Sequence, residues 1–270
     1  MTLTFAALVP GLPHLLNPAP GSGHDALARA MAHIGDTLEA KGVKRILYYS
    51  TQWLSVLGTM VQAQPTISGV HVDASWHQLG EIPFSFKVDS AFAEQMSAAA
   101  TAAGFRTQAI NYEGFPIDTG TIIANRLINR HGIATGMISS WLYAGYEDTV
   151  KFGQSLADAI AADTAPTAVI AVSSLSGNYF PTDIDPREDH ISSPEDDEWN
   201  QRIIALMSSG SFGAADLLVP TYAKTCRAEV GFKALAFLRG IGAAREKQGA
   251  TCLQYGAIHG TGAAVIQFSC

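Results

Sequence analysis

The chain has 270 residues, of which 47% are hydrophobic, enough to bury a substantial core. Only 15% are charged, against a typical ~25%, which suits either a surface partly covered by another subunit or an Ala- and Gly-rich chain. The net charge of −7 and the lack of any Lys/Arg cluster argue against nucleic acid or an anionic membrane as partner.

In chain order, short runs rich in β-branched or aromatic residues alternate with Ala-rich stretches of helical spacing. The pattern predicts a strand at 3–9, a helix at 24–41, a strand at 45–49, and helices at 90–103 and 121–130. It continues with a strand at 136–139, a helix at 147–162, a strand at 168–172, helices at 195–208 and 228–245, and a strand at 263–268. Such alternation argues an α/β layered fold with a largely parallel or mixed sheet, expected as one domain over 1–270. Ser193-Pro194 followed by Glu195–Glu198 reads as a capped helix start with acidic groups at the positive end of the dipole, not as a metal site.

Cys226, Cys252 and Cys270 are far apart and form no CxxC pair, which suggests a reducing compartment. Met1–Phe5 lacks the cationic stretch of a signal peptide, and no apolar run reaches the ~18 residues of a membrane span. The expected location is the cytoplasm.

Ligands of α/β sheets bind beyond the carboxyl ends of the strands. The segments to search are therefore 10–20, 50–58, 139–146, 173–185 and 258–262. They hold Pro10-Gly11-Leu12-Pro13-His14-Leu15, Ser50-Thr51-Gln52-Trp53 and Leu175-Ser176-Gly177, with Gly260-Thr261-Gly262 before the last strand. Asp118-Thr119-Gly120-Thr121 and Ala228-Glu229-Val230 lie between them in sequence.

In the order and spacing of these pieces, nearly the whole chain resembles the class III extradiol dioxygenases. It is most similar to members that open an aminophenol ring with two related subunits. The resemblance implies a three-layer α/β/α sandwich around a mixed, largely parallel sheet. It also implies an Fe(II) site of two His and one Glu, with positions open for substrate and O₂. The first His of that pattern falls on Gly11, the second on Gln52, the acid/base His on Gly177 and an active-site Tyr on Thr119; only the carboxylate survives, as Glu229. Glycine has no ligand atom, and a neutral amide does not replace imidazole. What the resemblance then implies is a non-catalytic α subunit with no metal of its own. Its partner would be a homologous catalytic β subunit that holds the Fe(II), the acid/base His and the substrate pocket, in an α₂β₂ enzyme acting on 2-aminophenol or a chloro-substituted relative.

Two rival readings remain at this point. One is a self-sufficient metalloenzyme with a rebuilt site of His14, Glu229 and His259; the other is a regulatory module binding a small aromatic. The blander expectations are a satisfied loop residue for His14 and a surface or interface place for His71 and His77. His24, His33, His131 and His190 are expected on the surface. Glu229 either pairs with Lys233 on a helix face or points into the cleft, where it must find a donor or become protonated. Gly260-Thr261-Gly262 is expected to be a turn where backbone approaches closely.

Overall fold

The strands that carry the sheet are those whose side chains are apolar on both faces. In the computed structural model, which describes residues 3–269, β8 (Thr167–Val172) is buried at every position. It pairs in parallel with β1 (Leu3–Val9) on one side and with β2 (Arg45–Ser55) on the other. Continuous burial of this kind is the mark of a parallel sheet covered on both faces. Beyond β2 lie β7 (Ala134–Trp141), parallel to it, then β3 (Thr59–Gln62), antiparallel, and β6 (Thr107–Ile110). Beyond β1 lie β10 (Thr261–Phe268) and β9 (Thr251–Ile258), both antiparallel to their neighbours. The eight-stranded order is β6-β3-β7-β2-β8-β1-β10-β9, mixed and largely parallel as expected.

Two apolar layers cover it. Alternate residues of β1 face opposite ways: Ala6 and Leu8 into one core, Phe5, Ala7 and Val9 into the other. The first core is closed by α2 (Ser90–Ala102), α4 (Tyr146–Ala162), α5 (Pro194–Ser208), α6 (Phe212–Thr225) and α7 (Lys233–Gly240). The second is closed by α1 (Gly23–Ala40), α3 (Thr119–Ile128) and a two-stranded hairpin of β4 (Thr66–His71) and β5 (Ile82–Lys87). This is the three-layer arrangement.

The helix starts follow local chemistry. Ser193 accepts the Asp196 N–H at 3.0 Å with Pro194 in the first turn, so the acidic run is a helix start. Asp118 caps α3, taking the Thr121 N–H at 2.9 Å and its hydroxyl at 2.7 Å.

Some expectations are corrected. The helix expected over 228–245 is a short 3-10 turn, Glu229–Phe232, followed by α7, because Val230, Gly231 and Phe232 adopt positive φ. Helix α6 and strands β3, β4, β5, β6 and β9 were not expected. Cys226 and Cys252 are free; Met1, Thr2 and Cys270 lie outside the described residues. Among the described residues no helix is long and apolar enough to cross a membrane.

Candidate functional site

The chain turns at the carboxyl ends of the parallel strands enclose a cleft of ≈ 560 Å³. Its walls include Leu12 from the loop after β1, Gln52 from β2, Ser174 and Phe180 from the segment after β8, and Trp76, Glu229 and His259.

Glu229 is brought here by a strained turn. Arg227, Val230 and Phe232 have φ of 49°, 47° and 57°, a region that costs non-glycine residues roughly 1–2 kcal/mol each. The turn is held to the β8 loop by the Gly177 N–H, which donates to the Cys226 carbonyl at 2.8 Å. The Glu229 carboxylate lies between the Thr51 hydroxyl, 2.6 Å from Oε1, and the Ser174 N–H, 2.8 Å from Oε2. It makes no pair with Lys233, whose ammonium instead donates to the Trp141 and Leu142 carbonyls at 2.8 and 3.1 Å. Burial raises the Glu229 pKa; its hydrogen bonds oppose the rise and the Asp118 charge adds to it.

Gly11 and Gln52 both pack on Gly120, beside Val172. A Cβ on Gly11 would lie 2.5 Å from the Gly120 Cα and 2.6 Å from Val172 Cγ1. The Gln52 amide oxygen packs on Gly120, 2.8 Å from where a Cβ there would be. A Cβ on Gly177 would collide with the Arg227 carbonyl. Thr119, at the start of α3, donates its hydroxyl to Asp73 Oδ2 at 2.5 Å and lies 2.8 Å from His71 Nε2. His71 therefore has a specific partner.

These residues do not fit the Fe(II) site that the resemblance implies. Gly11 supplies no donor and its surroundings leave no room for one, Gln52 offers only a neutral amide, and both Glu229 oxygens are already engaged in hydrogen bonds, with Thr51 and the Ser174 N–H.

The histidines form a separate knot. Asp189 accepts from His24 Nε2 at 2.7 Å and from the backbone N–H groups of His259 and Gly260 at 2.5 and 3.0 Å. His24 is buried, not on the surface as expected, and its partner Asp189 has a side chain only 2% exposed. His33, His131 and His190 are exposed as expected. His259 Nε2 lies 2.9 Å from the Phe180 carbonyl. Trp76 packs edge-on against the rings of His14 and His259, each at 4.6 Å. Burial first, then the charges of His24 and His259, lower the His14 pKa to about 4. His14 opens onto a different cavity from the one that Glu229 and His259 line, and among the described residues no three His, Cys, Asp or Glu side chains are grouped to hold an ion. Gly260 is a close-approach turn: its φ is 85°, and a Cβ there would lie 2.9 Å from the Phe180 ring.

Sequence reasoning missed Thr51, Ser174, Trp76 and Asp189. The first two flank residues already singled out, and only the fold could assign the others.

The profile of a family described as "Catalytic LigB subunit of aromatic ring-opening dioxygenase" matches residues 9–266. A Pseudomonas sp. protein named 2-aminophenol 1,6-dioxygenase alpha subunit is 37% identical over 273 residues, covering 100% of both chains. The crystal structure of an uncharacterized Escherichia coli K12 protein, JW3007, shares the fold with a TM-score of 0.70 at 15% identity, covering 98% of this chain and 99% of that one.

Proposed function

Since the chain belongs to the LigB family of aromatic ring-opening dioxygenases, the class III extradiol type, we propose that it is the non-catalytic α subunit of a heteromeric 2-aminophenol (or chloro-2-aminophenol) 1,6-dioxygenase. Ring opening by O₂ and Fe(II) would then take place in a homologous β subunit, and an α₂β₂ assembly in the cytoplasm is the expected form. The role of this chain is to cover apolar β surface and hold that subunit in its folded state by mass action.

The observation that carries this reading is the packing at Gly11. Where the family pattern calls for an imidazole, the backbone lies so close to Gly120 and Val172 that no side chain fits. With Gln52 and Gly177 at the other two histidine positions, both the metal donors and the proton carrier are missing, and general acid–base help is typically worth 10²–10⁴-fold. The name of the Pseudomonas relative supports the same reading.

The test is metal analysis and O₂ uptake with 2-aminophenol, on this chain alone and on the chain copurified with its ring-opening partner. The expected result is no turnover and no stoichiometric iron in the isolated chain, with both present in the complex. One iron per isolated chain, with turnover, ends the proposal.

A further inference from the structure

Lys233 is a cation without an anion. The residue is only 6% exposed, and its ammonium meets two backbone carbonyls, those of Trp141 and Leu142. Among the described residues Lys233 forms no salt bridge to a carboxylate, its ammonium meeting the two carbonyls instead, and burial pulls its pKa down. Lys233 is also the first residue of α7, whose opening turn has no acidic residue, so the helix's positive end adds to the same unbalanced potential. Buried charges are ordinarily paired.

The place is also a groove. A concavity of ≈ 420 Å³ beside Lys233 is lined by Leu142, Tyr146, Val219, Pro220, Ala223 and Val230. Val230 belongs to the turn that carries Glu229, so the groove and the cleft share a wall. An apolar ridge adjoins it. The Leu142 N–H donates to the Ser55 carbonyl at 2.8 Å and the Trp141 indole to the Val56 carbonyl at 3.1 Å, which fixes the β2–β3 turn against the end of β7. On that ridge Val56, Leu57 and Tyr143 are 54%, 61% and 69% exposed. Neither 53–59 nor 141–146 contains a charged residue.

We infer that this groove and ridge dock the catalytic partner subunit through a segment that places one carboxylate against Lys233 between apolar side chains. The inference rests on the reading of the chain as one subunit of a heteromer. Charge complementarity selects the occupant: an apolar segment alone would leave the ammonium unpaired, whereas a carboxylate neutralises it and uses its remaining hydrogen.

The experiment compares affinities of full-length variants for the intact catalytic subunit. Lys233→Gln keeps amide hydrogens for the two carbonyls and removes the charge, so it separates loop pinning from ion pairing. It is expected to weaken binding by roughly thirty-fold or more with the melting temperature little changed. Leu57→Asp with Tyr143→Asp, both at exposed positions, should also weaken binding, whereas Val70→Asp, on the hairpin of the opposite layer, should not. Amides of 54–58 and 142–145 should exchange more slowly in the complex. If the unaltered chain forms no complex, the subunit reading falls and takes this inference with it. If it forms one and Lys233→Gln and the ridge variant bind equally well, only the docking surface is wrong.

Discussion

Thr51 has one hydroxyl hydrogen and two acceptors in reach: the Val172 carbonyl at 2.9 Å and Glu229 Oε1 at 2.6 Å. An ionised Glu229 leaves one of them unserved. A protonated one resolves the count, because its O–H donates to Thr51, Thr51 donates to Val172, and the other oxygen takes the Ser174 N–H. The hydrogen-bond count therefore agrees with the raised pKa. The sign of the pH effect follows. The folded state holds this proton more tightly than the unfolded chain, so stability falls as pH rises from the ordinary value of 4.5 through the folded pKa. Glu229→Gln reproduces the protonated pattern without a titrating group. Urea unfolding between about pH 5 and pH 8 should show the variant losing less stability than the parent as pH rises; an equal or steeper loss would disprove a neutral Glu229. The candidacy of Glu229 was legible from its order among the motifs. Its hydrogen-bond partners were not, because Thr51 and Ser174 are far from it in sequence and meet it only through β2 and β8.

At the scale of elements, the loop after β1 lies directly on the first turn of α3, and glycines at 11 and 120 permit that approach. The consequence concerns reversibility. Putting histidines back at 11, 52 and 177 restores the family's pattern in sequence but not in space. Gln52→His should be tolerated, since that side chain is partly exposed to the cleft. Gly11→His and Gly177→His should each cost about 1–3 kcal/mol by overpacking against backbone. Denaturant midpoints check the cost and metal analysis checks the site; a folded triple variant with one iron per chain would refute the argument. The central strands and most helices were legible because burial on two faces and helical periodicity leave strong patterns. Helix α6 was hidden by Pro220, which reads as a breaker, and β3 and β6 are four residues long. The helix predicted across 228–245 failed because positive φ at Val230 and Phe232 leaves no trace in residue type.

For the whole molecule, a low charged fraction and an uncharged ridge of exposed Val56, Leu57 and Tyr143 beside the groove describe a surface suited to association. If this chain binds only the folded form of the catalytic subunit, its effect is set by concentration over dissociation constant. About 2.7 kcal/mol is expected at a hundredfold excess over Kd, and the gain keeps growing as more chain is added. The melting temperature of the catalytic subunit should therefore climb with added chain, roughly with the logarithm of its concentration. Lys233→Gln should shift that curve to higher concentration without changing its slope, because it alters affinity and not the linkage. The chain carries a net charge of −7, so an interface held by long-range attraction would lose this stabilisation steeply with salt. A short-range apolar contact with one buried ion pair should keep most of it. Thermal scans of the catalytic subunit across chain concentrations, at low and high salt, measure both dependences; a melting temperature indifferent to added chain would leave the chain without the stabilising role assigned to it.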